Sequence, residues 1–283
     1  MRTLALSAIL AVAFGGQALA WGQEGHSIIA EIAQRRLSPE AARSVGQLLG
    51  RGHSLASIAS WADDARDTRP ETSNWHFVDM PLAVRKYSAS RDCANDPKSG
   101  FCIVAELDAL RNDLRCASGK DQVEALKFAV HFVGDVHQPL HTVGEAKGGN
   151  DIQVDLFVRG LTCGGTCEPG HIATNFHAAW DFGLIEKVVW DWGAYVDRLE
   201  DDGWLKSAEA TRPGIDGGTV VDWAEETHAL APAVWNSSPA DDVLDDRYLH
   251  EVLPILDRQL GVAGLRLAKF LNEAFSSHDC PVR

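Results

Sequence analysis

Residues 123–141 read VEALKFAVHFVGDVHQPLH. Val123, Leu126, Phe128, Val130, Phe132, Val133 and Val136 leave almost no polar face, so the spacing predicts a core helix over 121–137. Pro139 ends it, because proline cannot continue the hydrogen-bond ladder. A buried helix of this kind implies a mainly helical protein. Yet it carries His131 and Asp135, four residues apart and therefore on one face. A buried imidazole and carboxylate are costly unless they pair or hold a cation. For one such couple alone, an ion pair is the simpler explanation.

The pattern repeats outward from that helix. His177 and Asp181, in HAAWD, are again four apart. His141 follows Asp135 by six residues. His76 lies in Trp75-His76-Phe77, Asp63 in Trp61-Ala62-Asp63, and His26 near the start of the chain. Several independent buried ion pairs would be a coincidence. Five histidines and three aspartates, mostly with apolar neighbours and without cysteine, suit zinc at an open hydrolytic site. Two such groups would support phosphoryl transfer between ions about 3.5–4 Å apart.

The rest of the chain fits the helical reading. Helices are expected over 26–36, from Ser38-Pro39 to about 50, and over 54–67, 101–116, 172–187, 190–200, 219–235 and 247–275. Residues 70–100, rich in Pro, Asn, Ser and Asp, read as loop. The alternation of DIQVDLFV at 151–158 suggests a strand, half of a hairpin. No repeat, low-complexity tract or long linker divides the 283 residues. The expected fold is a single-domain α-helical bundle with a short β-hairpin.

Charge narrows the partners. The chain has 26 basic and 40 acidic residues, a net charge of −14. A general electrostatic nucleic-acid binder would be basic. If this protein handles a polyanion, bound cations must neutralise the phosphate. Residues 1–20 have a positive start at Arg2, an apolar centre and a small-residue end, Ala18-Leu19-Ala20, as in a secretory signal peptide cleaved before Trp21. The mature domain is then 21–283, secreted or periplasmic, with no membrane anchor and acting as a monomer. An oxidising compartment suits six cysteines, which allow fifteen pairings. Cys93 with Cys102 and Cys163 with Cys167 would close local loops, leaving Cys116 and Cys280 to tie down the tail. A zinc-thiolate site at Cys163 and Cys167 is the weaker reading, since no second thiol pair matches it.

These motifs, in this order, resemble the secreted zinc-dependent single-strand nucleases, or nuclease/3′-nucleotidases, of fungi, plants and bacteria. That family is related in fold to zinc-dependent phospholipase C. The resemblance covers Trp21-Gly22…His26, Ser60-Trp61-Ala62-Asp63, Trp75-His76-Phe77-Val78-Asp79, HFVGD at 131–135, QPLH at 138–141, Gly148-Gly149-Asn150, HAAWD at 177–181 and the stretch from Gly264 to Asn272.

The resemblance implies three zinc ions. Asp63, His76, His131 and Asp135 match the ligands of a first zinc, and His141, His177 and Asp181 those of a second. Trp21, through its amine and carbonyl oxygen, matches a third with His26 and Asp135. That amine exists only after cleavage and must lose a proton to bind, from a reference pKa of about 7.7–8.0. Arg66 matches a phosphate-stabilising base, and with Asp63 and Asp135 it makes up the expected catalytic set. Phe77 matches an aromatic that stacks on a base, while Asp79 and Asn150 match groups that bond the base edge.

Substrates so implied are single-stranded DNA and RNA and 3′-mononucleotides. A phospholipase C-like hydrolase of lipid headgroups would use the same zinc cluster. A secreted zinc-binding protein without catalysis is the third reading, against which the complete ligand set and Arg66 argue. Lys147 reads as a solvated loop lysine. His137 reads as packing rather than a ligand, and His53, His171, His228, His250 and His278 have no assigned role.

Overall fold

The computed structural model describes residues 21–158, 170–189, 191–276 and Cys280. The proposed signal peptide and the Cys163–Cys167 pair lie outside the described residues.

The opening helices are α1 (Gln23–Gln34), α2 (Pro39–Leu49), α3 (Trp61–Arg66) and the short α4 (Ala89–Asp92). Ser38 caps α2 by accepting from the Ala41 amide at 3.1 Å, with Pro39 in the first turn, as the sequence predicts. The single helix expected over 54–67 is instead a 3₁₀ turn (Ala56–Ile58) followed by α3. The break at Ala59 and Ser60 matters, because the Ala59 carbonyl is used in the site. Residues 70–100 also hold more order than expected, with a 3₁₀ helix at Pro70–His76 as well as α4.

The core hairpin comes next, α5 (Ile103–Cys116) and α6 (Lys120–Asp135). Every residue of α6 from Phe128 to Asp135 is buried. It packs against α5, α3 and α1. Disulfides join Cys93 to Cys102 and Cys116 to Cys280, two of the three expected pairings.

Strand β1 (Gln153–Val158) pairs antiparallel with β2 (Gly170–Asn175), with Leu156 opposite Ile172. The helix expected from 172 therefore starts late: tertiary pairing with β1 overrides the local preference. Asn175 closes β2 and caps the next helix, accepting from the Ala178 amide at 2.8 Å. That helix, α7 (Phe176–Ala178), continues through a π-helical turn (Ala179–Gly183) into α8 (Leu184–Val188). Single π turns inside helices are frequent at functional sites, and this one carries Asp181.

Helices α9 (Trp192–Asp201), α10 (Val220–His228) and α11 (Ala231–Asn236) come after it. The helix expected over 219–235 is thus two, because Pro232 starts a new helix rather than extending the old one. Strand β3 (Val243–Leu244) adds to β1 in parallel, giving the order β2-β1-β3. The last helix, α12 (Asp246–Ser276), runs 31 residues straight through Pro254 and packs on α1, α2, α5 and α6. The architecture is a mainly α single domain with one small sheet, and no helix among the described residues is long and apolar enough to cross a membrane.

Candidate metal centre

Eight histidines and aspartates from four parts of the chain meet beside the C-terminal end of α6. Three groups of possible metal ligands form: His26 with His131 and Asp135, Asp63 with His76 and His131, and His141 with His177 and Asp181. Asp135 stands between them. Its Oδ1 is 3.3 Å from His26 Nε2 and 3.9 Å from His141 Nδ1. Its Oδ2 is 3.1 Å from both His76 Nδ1 and His131 Nε2. Asp63 Oδ1 closes the second group, 3.7 Å from His76 Nδ1 and 3.6 Å from His131 Nε2. In the third group His177 Nε2 is 3.0 Å from His141 Nε2 and 3.4 Å from Asp181 Oδ2.

Backbone carbonyls aim the rings. His131 Nδ1 donates to Ala59 O at 2.7 Å, His141 Nδ1 to His76 O at 2.8 Å, and His177 Nδ1 to Gly148 O at 2.8 Å. Each bond fixes the tautomer and leaves Nε2 with a lone pair facing the cluster, as in metal-ligating histidines. The inward atoms then lack partners. His26 Nε2, Asp135 Oδ1 and Asp181 Oδ2 are buried with no hydrogen-bond partner among the described residues. Buried polar atoms are nearly always satisfied. Facing nitrogen lone pairs and bare carboxylate oxygens fit divalent cations, and an all nitrogen and oxygen set without thiolate fits zinc at a reactive site.

The start of the described chain is locked to this cluster. Trp21 is fully buried, and its indole Nε1 donates to Gly134 O at 2.9 Å. The Gly22 amide donates to Asp181 O at 2.7 Å. Gly134 lies flat against His26, where a Cβ would come within 2.8 Å of Nδ1. At Gly148 the backbone is left-handed (φ 63°), and a Cβ would meet His177 Nδ1 at 3.0 Å.

A pocket of about 270 Å³ opens onto the cluster. Arg66, Phe77, Asp79, Lys147 and Asn150 line it together with His76, His141 and His177. Arg66 Nη2 donates to Asp63 Oδ1 at 2.9 Å, so the guanidinium sits beside the group of Asp63, His76 and His131. Phe77 is half-buried, and Asp79 stands at the pocket mouth with part of its surface open to solvent. Asn150 Nδ2 donates to Lys147 O at 2.8 Å. The lip at 146–149 is left-handed throughout, even at Ala146 (φ 45°) and Lys147 (φ 53°), a conformation non-glycine residues adopt at a cost.

Over residues 21–276 the chain matches the S1/P1 nuclease family. It belongs to that family. It is similar to nuclease P1 of Penicillium citrinum, 31% identical over 284 residues that cover 91% of this chain and 98% of that protein. Endonuclease 2 of Arabidopsis thaliana is 29% identical over 287 residues, covering 90% of each. Nuclease S1 of Aspergillus oryzae is 27% identical over 281 residues, covering 89% of this chain and 91% of that protein.

Electrostatics of this S1/P1-family nuclease arise from the packing. Burial works against charge on Asp135, yet His131, His26 and His76 hold its carboxyl well below the usual range. Burial likewise disfavours a proton on His141, but the Asp181 hydrogen bond and the charges of Asp135 and Asp181 push it up to about 9. Burial dominates at His76, which falls to about 4 despite its bond to Asp135. At the pocket mouth, partial burial and the charges of Asp92 and Glu145 raise the Asp79 carboxyl.

His137 stays outside the cluster. Its Nδ1 donates to Val133 O at 2.7 Å and its Nε2 accepts from Arg266 Nη1 at 3.0 Å. His228 is buried between Thr142 O and the carbonyls of Pro81 and Val84. Three residues near the ligands carry no signal of their own in the sequence. Gly134 and Gly148 make room for imidazoles, and Gln138 bonds Asp181. Only their place inside the HFVGD, QPLH and Gly148-Gly149-Asn150 motifs could have flagged them.

Proposed function

We propose that this nuclease is a secreted or periplasmic zinc-dependent phosphodiesterase specific for single strands. It cuts DNA and RNA to 5′-mononucleotides and removes 3′-phosphates from mononucleotides, with residues 1–20 acting as a signal peptide. The supporting observation is the convergence of three His/Asp groups about the buried Asp135 carboxylate, 3.1–3.9 Å from His26, His76, His131 and His141, beside a pocket holding Arg66 and Phe77. The relatives carry the names nuclease P1, nuclease S1 and endonuclease.

Asp63, His76, His131 and Asp135 would hold a first zinc, and His141, His177 and Asp181 a second. His26, Asp135 and the amine and carbonyl of Trp21 would hold a third. Bound zinc supplies positive charge for phosphate oxygens and an acidified water as nucleophile. The chain's own groups do the rest. Arg66 offers a forked pair of donors to phosphoryl oxygens as charge builds on them. Phe77 gives an unstacked base a face to lie on, which every base can use. Asp79 accepts from the base edge and Asn150 donates to it. A base stacked in a duplex cannot reach Phe77, so duplex is a poor substrate. With a net charge of −14, binding is local, and activity falls less with salt than for a basic nuclease.

The test is a product assay on protein beginning at Trp21, given a single-stranded oligonucleotide and zinc, with and without EDTA. Release of 5′-mononucleotides that EDTA abolishes is the expected result. No release from zinc-loaded protein would refute the assignment, and phosphatidylcholine would be the next substrate.

A further inference from the structure

Gln138 is fully buried and stands between His137 and Pro139, yet faces neither solvent nor the pocket. Its two amide atoms have different jobs. Oε1 accepts from the Leu140 amide at 2.5 Å, and Nε2 donates to Asp181 Oδ1 at 2.7 Å. The first bond decides the second. A backbone N–H can only donate, so the atom facing Leu140 must be the oxygen, and the atom facing Asp181 must be the NH₂. Asp181 Oδ1, which also lies 3.6 Å from His141 Nε2, thereby accepts a hydrogen bond from Gln138. Its Oδ2 is buried without a hydrogen-bond partner among the described residues, 3.4 Å from His177 Nε2.

We infer that Gln138 is a positioning residue for the His141, His177 and Asp181 metal site. It keeps Asp181 turned so that Oδ2 is the oxygen offered to the metal. This rests on the zinc assignment proposed for the three groups and adds a determinant to it. The Asp181 carboxylate sits in a π turn, a local departure from the α-helix on either side of it. Gln138 holds the carboxylate from outside that turn, and the 3₁₀ turn at Pro139–Thr142 that it caps also carries His141. One side chain therefore ties two ligands of the same ion together. Partners of this kind are worth about ten- to a hundredfold in metal affinity.

Gln138→Met and Gln138→Glu separate this role from volume filling. Glutamate is isosteric and keeps the acceptor for Leu140, but presents an oxygen instead of N–H₂ to Asp181. Metal-free protein would be titrated with zinc against a competing chelator, and bound zinc counted after dialysis. Thermal unfolding of the metal-free forms would report folding separately. The expected result is one zinc per chain bound about ten- to a hundredfold more weakly in both variants, the others unchanged. In Gln138→Glu the deficit relative to wild type should narrow on lowering the pH, when a protonated Glu can donate again. Wild-type zinc affinity in Gln138→Glu would overturn the inference, even if Gln138→Met failed to fold. Failure of the zinc assignment itself would look different, as wild-type protein that binds no zinc at these groups.

Discussion

Gly134→Ala perturbs the metal centre at a residue that supplies no ligand. The added methyl would lie 2.8 Å from His26 Nδ1, 3.1 Å from its Cε1 and 3.3 Å from Ile29 Cδ1. Two stability effects oppose each other. Alanine is the better helix former by about 1 kcal/mol, while overpacking a filled core costs about 1–3 kcal/mol. The net loss is therefore at most about 2 kcal/mol, and the variant folds. The metal site is less forgiving. To regain an ordinary contact of 3.4 Å the His26 ring must retreat by about 0.6 Å, and a displacement of about 1 Å in a catalytic group can cost about a hundredfold in rate. The expected outcome is a kcat on single-stranded oligonucleotide lowered by about ten- to a hundredfold, zinc content reduced by one ion, and a metal-free Tm moved only a few degrees. Full zinc content with wild-type kcat would refute the claim that His26 is a ligand whose place Gly134 defines.

Other perturbations separate the parts of the site. Asp135→Asn keeps the shape but removes the charge shared by His26, His76 and His131. An amide is a poorer ligand than a carboxylate, so metal should be lost from two groups and the rate should fall by at least about a hundredfold. Metal analysis beside kinetics checks this. Arg66→Lys should retain all zinc and lose about 10²–10³ in kcat, because a point charge cannot reproduce the fork. Asp79→Asn should weaken base discrimination yet raise Tm at neutral pH. The Asp79 carboxyl is raised above its ordinary 3.8, so the folded state holds that proton more tightly than the unfolded chain. Its ionisation therefore destabilises the fold as pH rises past 3.8, and the gain from Asn should vanish below that pH.

What could be read from sequence depended on whether the signal was local. His131 with Asp135 and His177 with Asp181 announce themselves by i, i+4 spacing inside apolar runs. The convergence of His26, Asp63 and His76 on that face is long-range and is visible in the sequence only through the family resemblance. Elements failed where tertiary context decided. Gly170–Asn175 forms a strand because β1 lies beside it, and Pro232 begins a new helix inside the run expected over 219–235. Carbonyls were invisible altogether. Ala59, His76 and Gly148 aim three imidazoles with main-chain oxygens, and no side chain in the sequence marks those oxygens.

The depth of the ligands sets a timetable. His26, His131 and Asp135 are fully buried, whereas His141 and His177 reach the pocket at 4% and 5% exposure. Their support is α6, which packs against α1, α3, α5 and α12. On the proposed assignment, an ion at His141 and His177 would exchange through the pocket, whereas one at His26 and Asp135 would need the core to open. Inactivation by chelator should accordingly proceed in two phases. The slow one should run at the rate of global unfolding, however much chelator is added.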